Sequence, residues 1–535
     1  MGMTNEAEQP LSQKVIKNTF YNFIGKIWGI LVGLFLTPFI IHHIGIERYG
    51  VWAIVGVITG YFGLLDLGIG SSFIKYIAEF HTKKDTEKIN QVINCGIAFY
   101  SIFAFAVMAL ACLFINPIFR ILKIPAQLYS ESLFVFWVSL TIFCVSSIFS
   151  ISIAIQNGLQ RMDICNKIAL ITSIPNVAGT IFVLTHGYGL RGLIINNGII
   201  LIAGGLINVS MAYKILPELS LSCRFLSKKM FGTLFGYGAK LQVARISSAI
   251  SMQIDKLLIT YFLSLSLVTF FQLGFSVIQQ AISVVLLFLS ALIPAFSEID
   301  AQGARDKLID GYIRGTKYLA LITIPFFIFI MAAAHQIMSI WMGPGYDRSA
   351  WVIQILAIGW GTAVISGMRS VVVQAIAKTE IEMKAGLIAA VFNIPLSIIL
   401  ITKFGFLGVA IGTSISLIAS AAYGFAKLHQ ELGLPLGLFN KKPFTYIFVV
   451  SIGAGLLVWC LTAASHGLIK PDRISNLAVF TIQASLFSGI YLGLLLRIKP
   501  LDSRDLMILI KNDTRFAQRF LDPFRSPDQQ IADAS

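Results

Sequence analysis

Three basic residues lie inside long apolar runs of this 535-residue chain: Lys26, Arg245 and Arg369. A charged side chain at the centre of a bilayer costs about 2.5–3.5 kcal/mol on insertion scales, so such a residue needs either a route to the membrane surface or a function. At 1.5 Å per residue, each lies about 10 Å or less from the predicted cytoplasmic end of its helix. Two interpretations remain open: the cations line a cavity that binds an anion, or they extend along the helix to anionic headgroups.

Polar residues accompany these cations. At helical spacing Ser366 shares a face with Arg369 and Thr362, and Ser248 shares a face with Asp255. Their hydroxyl groups are candidate hydrogen-bonding partners for a polar ligand. Four glutamines inside or beside apolar runs are further candidates: Gln156, Gln272, Gln279 and Gln374.

Two acidic residues, Asp66 and Asp255, are the candidates for coupling transport to a cation or a proton. The alternatives are structural, since Asp66 stands in the glycine-rich LLDLGIG (64–70), where it caps a helix or pairs with a cation, and Asp255 is followed by Lys256. The seven histidines and six cysteines show no metal-ligand spacing, so the sequence predicts neither a metal site nor a cofactor.

The composition is that of an all-α integral membrane protein. Hydrophobic residues make up 56% of the chain, charged residues 13%, and the mean hydropathy is +0.80. We predict about fourteen transmembrane helices, at 19–42, 49–72, 91–115, 132–156, 166–186, 190–213, 240–262, 266–295, 318–342, 350–376, 384–402, 406–427, 444–465 and 475–497. The N-terminus lacks a cleavage signature, so we expect the first helix to stay in the mature protein.

Charge asymmetry orients these helices. With the N-terminus in the cytoplasm, 29 of the 41 Lys and Arg residues fall on the cytoplasmic side and 8 on the other. Both termini are therefore predicted to be cytoplasmic. The net charge of +15 is explained by this asymmetry, and we predict no nucleic-acid partner.

An internal repeat relates the two halves. Residues 187–203 (GYGLRGLIINNGIILIA) parallel 403–419 (KFGFLGVAIGTSISLIA) at an offset of 216, which places Gly189 on Gly405 and Gly192 on Gly408. Two parallel repeats with a central cavity are an architecture expected of transporters. The predicted organisation is a cytoplasmic segment 1–18, six-helix bundles 19–213 and 240–427 joined by a cytoplasmic amphipathic linker 214–239, an extra helix pair 444–497 and a cytoplasmic tail 498–535.

The opening block, residues 14–80, resembles the start of bacterial polysaccharide-biosynthesis oligosaccharide flippases, with IGIERYGVW (44–52) and LLDLGIG as its clearest elements. Residues 235–264 resemble the start of that family's second half. The resemblance implies the fold of the multidrug/oligosaccharidyl-lipid/polysaccharide transporter superfamily, with two six-helix bundles around a central cavity and alternating access. It brings no catalytic residues, and the tail after Pro500 departs from the pattern.

The resemblance implies a transporter that moves a polyprenyl-diphosphate-linked oligosaccharide from the cytoplasmic to the outer leaflet of a bacterial inner membrane, for surface polysaccharide biosynthesis. The three cations would then bind the diphosphate, and the serines and glutamines the sugar hydroxyls. Expected partners are this substrate, membrane lipids and polysaccharide-assembly membrane proteins.

Two other functions stay open. A cation-coupled multidrug exporter of the same superfamily would be expected to have an acidic cavity, whereas Lys and Arg outnumber Asp in the spans. A membrane polysaccharide polymerase would need carboxylates in a large outward loop, and the outward loops are short. We expect no enzyme activity, and the chain has no G-x-x-x-x-G-K-[ST] loop for ATP hydrolysis.

Overall fold

The computed structural model describes residues 11–63, 69–440, 442–465 and 473–498, and these are helical throughout most of their length, with no strand among them. The helices are α1 Leu11–Ile44, α2 Ile46–Gly63, α3 Ile69–Thr82, α4 Thr86–Ile121, α5 Ala126–Gly158, α6 Met162–Thr185, α7 Gly189–Ile215, α8 Lys228–Phe262, α9 Leu265–Ala301, α10 Arg305–Ala332, α11 Ala334–Trp341, α12 Asp347–Ile365, α13 Gly367–Ala375, α14 Glu380–Phe404, α15 Phe406–Leu432, α16 Lys442–Ser465 and α17 Arg473–Ile498.

The prediction of an all-α multi-pass membrane protein is confirmed. Each predicted span overlaps at least one helix, and in the described part of the chain twelve segments are long and apolar enough to cross a membrane. The span predicted at 49–72 covers most of α2 and the start of α3, with residues 64–68 outside the description. The other two predicted spans fall on α2, which begins with the charged pair Glu47 and Arg48, and on α8, in which the side chains of residues 236–252 lie outside the described part. The count of fourteen therefore stays a prediction.

Two predicted spans are each built from two helices. The span predicted at 318–342 changes from α10 to α11 at Ala333, and the span predicted at 350–376 changes from α12 to α13 at Ser366. Both breaks are local, because backbone hydrogen bonds continue on either side of them. The second break lies three residues before Arg369.

By packing, the chain divides into two compact units. One contains Met1–Ser276 and Gly386–Ser416, and the other contains Val277–Ala385 and Leu417–Ser535. Helices α9, α14 and α15 contribute residues to both. The six-helix bundles predicted at 19–213 and 240–427 stay a prediction.

The aligned glycines of the repeat have the same backbone conformation. Gly189 is the first residue of α7, and Gly405 immediately precedes α15. Their φ values are +58° and +59°, in a backbone region that residues other than glycine rarely adopt. The next aligned pair are both tightly packed, since a Cβ on Gly192 would lie 2.3 Å from Val183 and one on Gly408 would lie 2.1 Å from the Leu400 carbonyl oxygen. Backbone geometry thus supports the repeat independently of hydrophobicity.

The same helix contact occurs in both repeats with the glycine on opposite helices. A Cβ on Gly179 of α6 would lie 2.0 Å from the Asn196 side chain of α7, and a Cβ on Gly412 of α15 would lie 2.6 Å from the Ser397 side chain of α14. The offset of 216 aligns Asn196 with Gly412, and Gly179 and Ser397 are 218 residues apart. Each interface therefore combines one glycine with one polar residue.

Part of the predicted linker, 214–239, belongs to α8, because residues 228–239 form the first turns of that helix. The part before α8 is held by two asparagines of α4. Asn90 donates to the Glu218 carbonyl at 3.0 Å and accepts from the Ser220 amide at 2.9 Å, and Asn94 repeats this pattern with Ser220 and Ser222. The two amide side chains thus provide hydrogen-bonding partners for backbone groups of residues 218, 220 and 222, which lie outside any helix.

The predicted extra pair, 444–497, corresponds to α16 and α17, which pack on α10. Pro325 has no N–H, so the Leu321 carbonyl loses its usual helical partner, and the Tyr491 hydroxyl of α17 donates to that oxygen at 2.7 Å. An apolar cluster surrounds this bond: Ala332, Ala454, Val458, Phe487 and Tyr491.

Candidate functional site

Arg369 lies in α13 and is only 5% exposed, so its side chain does not extend into lipid in this structure. Its Nη1 lies 3.3 Å from Glu382 Oε2 in α14, and its Nη2 donates to Glu382 Oε1 at 3.4 Å. The Ser370 hydroxyl donates to the same Oε1 at 2.9 Å. We call Arg369, Ser370, Glu382 and the neighbouring Gly424 the Arg369 cluster.

The guanidinium group occupies space that a glycine provides. A Cβ on Gly424 of α15 would lie 1.9 Å from Arg369 Nη1. The Nε and Nη1 groups of Arg369 and the Oε2 atom of Glu382 are buried without a hydrogen-bond partner among the described residues. A buried cation with unused donors has the chemistry of an anion-binding group.

A tyrosine–histidine pair belongs to the same compact unit as this cation. Tyr312 Oη lies 3.1 Å from His429 Nε2, and His429 Nδ1 lies 3.0 Å from the Pro435 carbonyl oxygen. A carbonyl only accepts, so Nδ1 carries the proton and Nε2 accepts from the tyrosine. The two contacts thus involve both ring nitrogens of His429 and the hydroxyl group of Tyr312.

Asp255 of α8 belongs to a second buried group, the Asp255 cluster, with Thr413 of α15 and Asn393 of α14. Asp255 is 3% exposed, and its Oδ2 accepts from Thr413 Oγ1 at 2.6 Å. Asn393 Nδ2 donates to the same hydroxyl at 2.8 Å. Asp255 Oδ1 and Asn393 Oδ1 are buried without a donor in the described part of the chain, which leaves two oxygens available to a small cation or a proton.

Lys256 is also buried, but its contacts lead away from this cluster. Its Nζ donates to Gln253 Oε1 at 2.9 Å and lies 5.9 Å from the centroid of the Phe275 ring. A local pair with Lys256 was the structural alternative for Asp255. The ammonium group contacts an amide and an aromatic ring, while its charge still interacts with that of Asp255.

The predicted glutamines do not share one environment. Gln156 is fully buried and bonds Asn208 Oδ1 at 3.0 Å while accepting from Cys165, so its amide joins α5, α6 and α7. Gln272 is partly buried, and its Oε1 lacks a donor among the described side chains. Gln279 and Gln374 are exposed.

Of the remaining predicted residues, the structure describes the side chains of Lys26 and Ser366 and leaves three others outside the description. Lys26 is half-buried in α1, and Ser366 is buried, with its hydroxyl donating to the Ala363 carbonyl at 2.6 Å. Arg245 and Ser248 belong to α8, but their side chains lie outside the described part, as does the whole of Asp66. The convergence of the three cations on one cavity therefore stays a prediction.

Sequence reasoning missed Glu382, Asn393 and Thr413. Glu382 stands in the first turn of a helix, where acidic residues are common, and so gave no signal. Asn393 lies inside the span predicted at 384–402, and an amide side chain in a span was a usable signal. Where the chain is described, no group of three His, Cys, Asp or Glu residues could hold a metal ion.

Comparisons with known proteins agree with this fold. The profile of the polysaccharide biosynthesis protein family matches residues 15–300. A putative O-antigen transporter of Shigella flexneri is 24% identical over 416 residues, which cover 76% of this chain and 96% of that protein.

Two solved structures share the fold. The lipid II flippase MurJ in an inward closed conformation superposes with a TM-score of 0.70 at 17% identity, over 89% of this chain and 97% of that one. An inward-facing multidrug resistance MATE transporter of the MOP superfamily superposes with a TM-score of 0.66 at 17% identity, over 79% of this chain and 96% of that one. Because the profile covers more than half of the sequence, the chain belongs to the polysaccharide biosynthesis protein family.

Proposed function

We propose that this protein is a flippase that moves a polyprenyl-diphosphate-linked oligosaccharide from the cytoplasmic to the outer leaflet of a bacterial inner membrane by alternating access. Its product would feed surface polysaccharide biosynthesis, with polysaccharide-assembly membrane proteins as partners. The observation that carries the proposal is the family match together with the alignment over 96% of a putative O-antigen transporter.

The chemistry of the cargo explains why buried cations are useful. A diphosphate is the most costly part of such a lipid to bring into hydrocarbon, because its charge loses hydration there. Arg369 is buried with unused donors, and Arg245 is predicted to lie at a similar depth. We propose that these two residues and Lys26 bind the diphosphate, while the polyprenyl tail stays in the bilayer.

The proposed energy source is a cation or proton bound at the Asp255 cluster. Three helices contribute to this cluster, so a charge added there would change how α8, α14 and α15 pack. Asp66, the other predicted coupling residue, remains a second candidate at the sequence level.

A cation-coupled multidrug exporter is the second candidate function. It is favoured by the MATE likeness together with the buried carboxylate of Asp255, although that likeness concerns the fold alone. The two functions differ in cargo charge, because a cationic drug would be repelled by Arg369 and a diphosphate attracted.

The experiment is a double substitution, Arg245→Gln with Arg369→Gln, in the native host. Hydrogen bonds to charged groups contribute about 1.5–3 kcal/mol each, so their joint loss should lower the rate of polysaccharide export roughly a hundredfold or more. Surface polysaccharide is measured at equal membrane abundance of the protein.

The matched control is Arg120→Gln with Lys403→Gln, two exposed cations that we predict to lie on the opposite side of the membrane. It should leave export unchanged. Undiminished polymer in the Arg245/Arg369 variant would refute the cationic binding site.

A further inference from the structure

We propose that Glu382 is a built-in competitor of the substrate: it neutralises Arg369 when no cargo is bound, and the diphosphate of the cargo replaces it. This inference rests on the proposed function and assigns a role to a residue outside the predicted site. It makes Arg369 a group that exchanges one anion for another.

The two partners differ in burial. Arg369 is 5% exposed, whereas the side chain of Glu382 is 39% exposed. A carboxylate with that much access to water regains hydration when it moves away. A buried guanidinium group that loses its anion keeps an uncompensated charge, which is costly. Glu382 is therefore the mobile partner, and Arg369 the fixed one.

The ion pair between Arg369 and Glu382 is also longer than most charge-assisted hydrogen bonds. Charge-assisted N–H···O bonds usually measure about 2.7–2.9 Å, whereas the two Arg369–Glu382 contacts measure 3.3 and 3.4 Å. Arg369 Nε and Nη1 and Glu382 Oε2 make no hydrogen bond to described residues. A diphosphate offers more oxygens than one carboxylate and can occupy the donors that Glu382 leaves unused.

Two neighbours fit this exchange. Gly424 leaves the space that the guanidinium group occupies, since a single methyl group there would overlap Nη1. Ser370 holds Glu382 Oε1 at 2.9 Å, and its hydroxyl becomes free to bind a phosphate oxygen once Glu382 leaves. The position of the cation is thus kept while its anion changes.

The exchange has a consequence for release. Without a competing carboxylate the diphosphate should bind Arg369 more tightly, and it should leave more slowly. Glu382→Gln is therefore expected to raise affinity and lower the rate of transport, which is a combination that a merely structural ion pair would not give.

The test measures binding of undecaprenyl diphosphate to the purified full chain in lipid nanodiscs, with undecaprenol as the uncharged probe. Removing the competing charge should tighten diphosphate binding by roughly tenfold in Glu382→Gln, with undecaprenol binding unchanged. The matched control is Glu380→Gln, an exposed acid in the same first turn of α14, which should bind as the wild type does.

The outcomes separate the two proposals. A wild-type protein that binds the diphosphate no better than the alcohol would overturn the proposed cargo and this inference with it. A wild type that prefers the diphosphate, with Glu382→Gln no tighter than Glu380→Gln, would overturn the exchange alone. If Glu382→Gln is not recovered folded, Gly424→Ala gives the second arm: displacing the guanidinium should weaken diphosphate binding, and unchanged binding would count against the inference.

Discussion

Arg369 and Asp255 are buried in the membrane-spanning part of the chain, and each has polar atoms that no described neighbour satisfies. Such groups are expensive in a low-dielectric environment, and they persist there mainly when a ligand uses them. The Arg369 cluster has unused hydrogen-bond donors, and the Asp255 cluster has unused acceptors. At the scale of single residues, the chain thus has separate candidate sites for an anion and a cation.

The Asp255 cluster leads to a prediction about coupling. Asp255→Asn keeps the shape of the side chain and removes its charge, so the response of transport to an imposed Na⁺ or pH gradient should be lost. The measurement is initial transport rate in vesicles with and without each gradient. The control Asp300→Asn changes an exposed acid and should keep the response. A gradient response of wild-type size in Asp255→Asn would exclude Asp255 as the coupling residue.

The sequence was sufficient to single out Arg369 and Asp255, because a charge in an apolar run is rare and visible. It was not sufficient to identify their partners. Thr413 lies 158 residues from Asp255 in the chain, and serines and threonines in spans usually bond their own helix backbone, as Ser366 does here. The packing of α8 against α15 determines that Thr413, and not another hydroxyl group, bonds Asp255.

At the scale of helices, twelve of the fourteen predicted spans overlap segments that are long and apolar enough to cross a membrane, but helix ends were not predictable from apolarity. We predicted a start at residue 318 for the helix that begins at Arg305, and at 240 for the one that begins at Lys228. The missing turns of α10 are rich in charged residues, and those of α8 begin with Lys228 and Lys229. Backbone hydrogen bonds continue a helix beyond the hydrocarbon layer regardless of side-chain polarity, so an apolar pattern detects only the part within lipid.

Docking of the extra helix pair gives a prediction about stability. Tyr491→Phe keeps the ring but leaves the Leu321 carbonyl, already without a helical partner because of Pro325, unsatisfied. We expect a loss of about 1 kcal/mol in the free energy of unfolding. Thermal denaturation of the purified protein measures it, with Tyr446→Phe, an exposed tyrosine of α16, as control. Equal stabilities of the two variants would contradict the role assigned to Tyr491.

At the scale of the whole molecule, IGIERYGVW (44–52) acquires a structural explanation. The segment begins α2, and a Cβ on Gly50 would lie 2.4 Å from the Leu265 carbonyl oxygen at the start of α9. Thr269 of α9 donates to the Ile46 carbonyl at 2.7 Å, and Arg48 pairs with Glu131 at 2.8 Å. The motif therefore packs a helix of the first predicted repeat directly on a helix of the second.

The central claim is that the chain moves a lipid-linked oligosaccharide between leaflets, and transbilayer movement in reconstituted vesicles tests it most directly. The vesicles contain a fluorescent polyprenyl-diphosphate-linked oligosaccharide in both leaflets, and a membrane-impermeant quencher is added outside. With the wild-type protein, we expect the fluorescence of the inner leaflet to become accessible to the quencher, and with Arg245→Gln/Arg369→Gln to stay protected. An inner-leaflet pool that stays protected in the presence of folded wild-type protein, under every imposed ion gradient, would contradict the account.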